Sequence, residues 1–252
     1  MRRDRIWQDS TTVKKFLTGI RGGIPFASEQ IGIALRIMDC TFNTFGLQSM
    51  DGDTPSTFYQ IADLGCGDGV ISEAILTHYP DSRVVAIDFS EPMLHQAQQR
   101  LAPFADRVDI LHADLGHSNW QSTLNHFDAV ISGYCIHHLT DTRKRSLYRE
   151  IYHQLKLGGC FLNIEHVSSR STWIEETFND ALIESLYRWH RKQGGDKSRE
   201  AIAEQFMNRD DQNANILASV EDQCHWLREI GFQHVDCYFK FFELAVFGGV
   251  RL

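Results

Sequence analysis

Positive charge is in short supply in this sequence: 25 Lys plus Arg stand against 33 Asp plus Glu, a formal net charge of -8. A chain that grips polyanions across its surface needs the opposite balance, so nucleic-acid and anionic-membrane binding are disfavoured. Proline is scarce at 5 residues, and 18 glycines in 252 residues are too few for a collagen-like or low-complexity chain. No apolar run approaches the ~18 residues that a membrane span requires. The charged start MRRDRIWQDS leads into no apolar segment, so it does not read as a secretory signal. The six cysteines (Cys40, Cys66, Cys135, Cys160, Cys224, Cys237) include no CxxC pair. In a chain this long they read as reduced thiols, with no disulfide framework and no zinc site, and the expected compartment is the cytoplasm.

What is present is an ordinary globular composition, 42% hydrophobic and 23% charged over 252 residues. That length suits one large α/β domain or two small ones. Residues 1–24 are polar and punctuated by glycine, a segment that is either loose or folded over something. Pro25 then opens a helical pattern, with Ile31, Ala34, Leu35, Met38 and Phe42 at three- and four-residue spacing. The stretch 48–56 reads as a loop from its Gly, Pro, Asp and Ser content.

From residue 58 strands and helices alternate. Strands are predicted over Phe58–Leu64, Arg83–Asp88, Val108–His112, Phe127–Ser132 and Cys160–Glu165. Helices are predicted over Val70–His78, Pro92–Leu101 and Thr142–Leu155, with Leu157-Gly158-Gly159 as a stop. Such alternation predicts βαβ units around a parallel sheet, and the nearly all-apolar strands suit a sheet covered on both faces. Residues 168–217 interrupt the order with an amphipathic helix over Trp173–Trp189, a polar stretch and a weaker helix near Ile202–Phe206. A helix over Val220–Ile230 and strands over Val235–Phe241 and Leu244–Val250 follow. The expected architecture is one doubly wound, mostly parallel, seven-stranded Rossmann-like domain over 1–252. Residues 1–57 would form an N-terminal helical cover and 168–217 a helical lid. The clusters Arg143-Lys144-Arg145 and Arg188–Arg199 read as solvated helix faces. The aromatics Trp173, Phe178, Tyr187 and Trp189 read as core or lid packing.

The stretch that carries chemistry is Asp63-Leu64-Gly65-Cys66-Gly67-Asp68-Gly69, between the first strand and its helix. A dinucleotide loop would need GxGxxG, but the third glycine of that pattern would fall at Val70; here it is Gly69. No GxxxxGK[ST] phosphate loop occurs either, so the turn suits a nucleoside ligand without a pyrophosphate. Asp88 ends the second strand, 19 residues beyond Gly69, where a carboxylate can accept hydrogen bonds from ribose hydroxyls. Asp114-Leu115 follows the third strand and offers a polar and an apolar group for the edge and face of an adenine. All lie at the carboxyl ends of strands, where open α/β sheets bind ligands.

Taken together, Asp63–Gly69, Asp88-Phe89-Ser90-x-x-Met93, Asp114-Leu115 and Ser132-Gly133-Tyr134-Cys135-Ile136-His137-His138-Leu139 resemble the class I S-adenosylmethionine-dependent methyltransferases over about residues 58–166. The resemblance implies an enzyme whose cofactor is S-adenosylmethionine. Asp63, Gly65, Cys66, Gly67 and Gly69 would hold its methionine end, with Asp63 near the amino group. Asp88 would bind the ribose, Met93 would pack on the adenine, Phe89 would belong to the same cofactor site, and Asp114 with Leu115 would meet the adenine amino group and ring. Tyr134 would line the methyl-transfer face. The acceptor expected is a small molecule, methylated at O, N or C, with a nucleic-acid acceptor disfavoured, no membrane partner and the oligomeric state left open. Ile24-Pro25-Phe26 bears a looser similarity to a cofactor-covering turn of the carboxy-S-adenosylmethionine synthases. These need an arginine for the added carboxylate, and Arg209 is a candidate for it. A non-catalytic S-adenosylmethionine-binding module is a further alternative.

For catalysis the candidates are His137, His138, Glu165 and Tyr134. One of the two histidines is a general base, since imidazole titrates near neutrality, or the pair caps and packs the strand exit. Glu165-His166 is a base or substrate contact, or an ordinary strand-end polar pair. Neither His137 nor His138 has a metal-ligand partner at i, i+4 spacing, and no metal is expected.

Overall fold

The computed structural model describes residues 3–45, 58–120 and 126–252; the loop expected over 48–56 lies outside the described residues. The N-terminal segment is helical and folded back. A 3-10 turn (Arg3–Gln8) leads into α1 (Ser10–Lys15), a π turn (Phe16–Ile20), a 3-10 turn (Arg21–Gly23) and the long α2 (Ala27–Phe45). Asp9 starts α1 by accepting the amide of Thr12 at 2.8 Å, which satisfies one of the amides a helix start leaves open.

The alternating region folds as the spacing predicts. It runs β1 (Gln60–Leu64), α3 (Val70–His78), β2 (Arg83–Asp88), α4 (Glu91–Leu101), β3 (Val108–His112), β4 (Phe127–Gly133), α5 (Asp141–Gln154) and β5 (Leu155–His166). Next come α6 (Thr172–Lys192), α7 (Arg199–Met207), α8 (Val220–Ile230), β6 (Gln233–Phe241) and β7 (Leu244–Val250). The seven strands form one sheet in the order β3-β2-β1-β4-β5-β7-β6. The first five are parallel, and β7 runs antiparallel to both β5 and β6.

Helices bury both faces of this sheet. On one side Ala34 and Met38 of α2, Ile75 of α3 and Ala97 of α4 pack with Ile61, Ala86 and Ile131. On the other, Leu147 and Ile151 of α5 and Leu227 of α8 pack with Leu64, Val130 and Phe161. Strands that bury both faces are mostly apolar, which is why β1, β4 and the inner part of β5 are dominated by apolar residues. β3 is less buried because it is an edge strand.

Two expectations are corrected. Leu157-Gly158-Gly159 is not a stop between helix and strand, because β5 already begins at Leu155. Phe127 pairs with Leu155 and Ala129 with Cys160, so the glycines sit in a bulge that keeps the strand in register at both ends. The cluster Arg143-Lys144-Arg145 is not a solvated face. Lys144 is fully buried, with Nζ donating to Asp141 Oδ1 at 2.8 Å and to the carbonyl of Ile216. Arg143 pairs with Glu150 at 2.6 Å and donates to the carbonyl of Leu115 at 2.7 Å, leaving Arg145 as the exposed member. Charged heads on long stems reach buried partners that a helical wheel does not display.

One glycine of the β1–α3 turn is required by packing as well as by conformation. Gly65 has φ +69, and a Cβ there would run into the side chain of Cys135 after β4. Gly65→Ala is therefore expected to lower stability by about 1–3 kcal/mol, read as a fall in the urea midpoint; an unchanged midpoint would show that Cys135 does not abut this turn.

Candidate active site

The strand order reverses between β1 and β4, and the site opens at the carboxyl ends of the strands around that point. The amides of Gly65 and Cys66 both donate to the carbonyl of Ile87, at 2.7 and 2.9 Å, tying the glycine turn to the end of β2. Asp88 binds the same turn through its side chain. Its Oδ2 accepts the amide of Gly67 at 2.9 Å and its Oδ1 that of Ser90 at 2.8 Å. Each oxygen keeps a further lone pair for a ligand hydroxyl. Burial raises the pKa of this carboxyl against the pull of those amides. Ser90 caps α4 through the amide of Met93 and donates its hydroxyl to the carbonyl of Trp7 at 2.5 Å.

Asp63 lies behind the turn, fully buried. Its Oδ2 accepts the Ser72 hydroxyl at 2.7 Å, and its Oδ1 has no partner among the described residues. Burial pushes its pKa up to about 7, a strained state for a carboxyl that an added cation would relieve.

A cavity of about 670 Å³ runs from this turn to the 168–217 insertion. Gly65, Cys66, Gly67, Asp88, Phe89, Met93, Tyr134, His137 and His138 all stand in its wall. Of the expected set, Asp63, Gly69, Asp114, Leu115 and Glu165 stand behind that wall. Leu115 is buried in the core beside α5, and Asp114 Oδ1 accepts the amide of Gly116 at 2.7 Å. The insertion supplies Phe178 and Leu182 of α6 and Phe206 of α7 to the wall, while Trp173 is exposed.

The four catalytic candidates separate by environment. His137 Nδ1 lies 2.5 Å from Glu165 Oε1, both side chains buried. Glu165 Oε1 also accepts the amide of His166 at 2.9 Å, and Asn163 Nδ2 donates to Oε2 at 3.3 Å. Burial pushes Glu165 up to about 7 and holds His137 well below the ordinary histidine range. The dyad thus competes for one proton near neutrality. His138 has both ring nitrogens engaged. Trp7 Nε1 donates to its Nε2 at 3.0 Å, and its Nδ1 lies 3.3 Å from the carbonyl of Ala214. Burial lowers its pKa to about 3, so it is a neutral bridge between the N-terminal cover and the insertion. Tyr134 sits at φ +51 and donates its hydroxyl to Gln30 Oε1 at 2.8 Å. Burial raises its pKa, so it is a neutral phenol held in place.

Several wall residues were not expected from sequence. Glu243, at the β6–β7 turn, receives His166 Nε2 at 2.9 Å and the amide of Ser169 at 3.1 Å. Its burial opposes ionisation, yet the His166 and Ser169 hydrogen bonds keep its carboxyl below the usual range. Arg21 enters the wall from the cover, and Gln30, also of the cover, stands behind the wall and holds Tyr134. Their only sequence signal was the glycine-rich approach to Pro25. Arg209 reaches the wall but is held by the carboxylate of Asp211, with Nε donating to Oδ1 at 2.9 Å. Among the described residues no group of three or more His, Cys, Asp or Glu could hold a metal, and no helix is long and apolar enough to cross a membrane.

Residues 61–159 match the family model described as a methyltransferase domain. Over these residues the chain is similar to the class I S-adenosylmethionine-dependent methyltransferases. The matched span of the methyltransferase domain carries β1 to the start of β5, and so the Asp88 and His137 sides of the cavity. A carboxy-S-adenosyl-L-methionine synthase of Helicobacter hepaticus is 24% identical over 92% of this chain and 89% of that protein. Two solved structures share the fold. An O-methyltransferase family protein from Burkholderia thailandensis has TM-score 0.58 at 14% identity, covering 90% of this chain and 58% of its own. PigF, solved with SAH, has TM-score 0.60 at 16% identity, covering 100% of this chain and 62% of its own. The chain thus spans about three fifths of the length of those two proteins.

Trp7 is one of the residues that tie the cover to the site, its indole meeting the His138 ring. Trp7→Ala removes the donor to His138 and an edge contact to Phe16 at 5.2 Å. Trypsin should then cut after Lys14 and Lys15 several-fold faster than in the parent protein; an unchanged digestion rate would show that other contacts hold the cover.

Proposed function

We propose that this cleft binds S-adenosylmethionine and transfers its methyl group to an O, N or C atom of a small-molecule acceptor. The observation that carries the reading is Asp88, held by Gly67 and Ser90 in the wall of a cavity that also contains His137. S-adenosylmethionine, when bound, supplies a methyl group on a sulfonium, a donor that needs placement more than activation. The residues present fit it. The unpartnered Asp63 Oδ1 suits an ammonium, Asp88 has lone pairs for ribose hydroxyls, and Phe89 with Met93 offers an apolar wall for the adenine.

The chain's own contribution to the reaction is threefold. The cover and the insertion exclude water, and the apolar wall of Phe178, Leu182 and Phe206 orients the acceptor. Such placement supplies up to about 7–11 kcal/mol of a barrier. The third contribution is a base for acceptors that must lose a proton. With the dyad deprotonated, Glu165 accepts from His137 Nδ1 and leaves the Nε2 lone pair free. When the dyad gains a proton, Nε2 carries hydrogen whichever partner bears the charge, and the base is lost.

The sign of the pH dependence follows. Methylation of a hydroxylated acceptor should rise with pH through about 7 and level off above it. Glu165→Gln should displace this profile, and His137→Asn should lower kcat by about 10²–10⁴-fold; a profile flat across neutrality in the parent protein would remove the dyad from the mechanism.

A second reading, synthesis of carboxy-S-adenosylmethionine, is favoured by the Helicobacter hepaticus relative. Against it, the wall guanidinium of Arg209 is already neutralised by Asp211, and the wall also holds Asp68, Asp88, Glu175 and Glu243. An acidic wall welcomes a sulfonium and an uncharged acceptor and repels an anionic one. Incubation with S-adenosylmethionine and prephenate, followed by mass spectrometry of the nucleoside, separates the two; a heavier nucleoside establishes the second reading. Both readings require the cofactor. Calorimetry should show Asp88→Ala and Gly67→Arg weakening S-adenosylmethionine binding at least about tenfold, or about 1.4 kcal/mol; unchanged affinity in both would overturn the cofactor assignment.

A further inference from the structure

The wall of the cavity holds two guanidiniums, and neither has a part in the reaction derived above. Arg209 belongs to the insertion and is taken by Asp211. Arg21 belongs to the cover and pairs with Asp68, inside the glycine turn itself. The backbone beside Arg21 is fixed from behind. A Cβ at Gly22 would strike the indole of Trp189, and one at Gly23 the side chain of Leu186. Arg21 is therefore aimed at the turn by close packing of the cover on α6, and its side chain is only 21% exposed.

Asp68 has a second cation. Arg100 Nη2 lies 2.9 Å from Asp68 Oδ2, Arg100 Nε donates to the Asp68 carbonyl at 3.1 Å, and Arg100 Nη1 reaches Glu73 at 2.7 Å. If Arg21 left Asp68, that carboxylate would keep Arg100, and no buried charge would be left alone. Arg21 is thus the exchangeable partner of the two.

The ligand that this turn is proposed to hold carries one negative group, the carboxylate of its amino-acid tail. Asp63 and Asp68 both stand at the turn, so the tail's carboxylate enters a field of its own sign unless a cation meets it there. We propose that Arg21 is the residue that recognises this carboxylate, exchanging Asp68 for the ligand. A guanidinium offers two parallel donors to a carboxylate, a geometry that a lysine lacks. The cover then reads whether the ligand has an amino-acid tail, while Asp88 reads the nucleoside. The inference rests on the cofactor reading of the preceding section.

Three ligands separate the possibilities by calorimetry on the full chain. S-adenosylhomocysteine carries the whole tail, decarboxylated S-adenosylmethionine keeps the ammonium without the carboxylate, and 5'-methylthioadenosine has neither. In Arg21→Gln, binding of S-adenosylhomocysteine should weaken at least tenfold, while the other two ligands stay within twofold of the parent protein. Arg21→Lys should fall between. Equal weakening of all three ligands would assign Arg21 to holding the cover shut, and unchanged affinity for all three would remove it from the site; either result overturns the proposal. Should Arg21→Gln fail to fold, the milder Arg21→Lys gives the same comparison. A parent protein that binds none of the three fails the cofactor reading itself, and the proposal with it.

Discussion

The site is organised by the Asp88 carboxyl group. Two loops from different strands, the glycine turn after β1 and the start of α4 after β2, meet at its two oxygens through the amides of Gly67 and Ser90. Neither loop could be placed by its own sequence, because a Gly-Cys-Gly turn has little intrinsic preference and φ values of +69 and +55 are available to glycine alone at low cost. The carboxyl converts that freedom into one arrangement. Ser90 then carries it outward, capping α4 and holding the carbonyl of Trp7, so that the cover is positioned by the group that would face the ligand.

A second polar chain does comparable work on the opposite side of the cavity. Behind the His137–Glu165 dyad, Asn163 bonds Glu165, and Tyr148 donates to Gln223 Oε1 at 2.6 Å, with Gln223 Nε2 reaching the carbonyl of Ala218 at 3.1 Å. Buried polar groups of this kind are costly unless paired, and here the pairing joins β5, α5 and α8 to the returning end of the insertion. Lys144 and the carbonyl of His137 grip the same segment at Ile216. The insertion is therefore anchored where it meets the dyad, while Trp173 at its start remains exposed. One buried network thus holds the His137–Glu165 side of the cavity, and another holds the Asp88 side.

The two halves differ in how they could be read from sequence. Helix α3, strands β2 and β3, helix α8 and strand β7 lie at the residues their periodicity marks, because each buries a face whose spacing follows directly from helix or strand geometry. Asp63, Gly67 and Asp88 were legible for a related reason: they stand at strand ends, and a parallel sheet gathers its strand ends at one edge. His137 and Glu165 were visible as residues but not as a pair, since 28 positions separate them and only the β4–β5 register brings them together. The reading of Arg143-Lys144-Arg145 as solvated failed because a lysine stem can carry its charge inward to a partner 72 positions away.

Local pattern alone thus determined the strand–helix alternation, the two-sided burial of the sheet and the glycine turn with its acids, all of which depend on neighbours within one or two turns of chain. Tertiary structure decided the rest: that Trp7 occupies His138, that Glu165 takes His137 and that Arg21 faces Asp68. All three contacts cross from the cover or between distant strands. A carboxylate or an imidazole has many possible partners in a sequence, and only packing of the intervening elements selects the one that shares its burial.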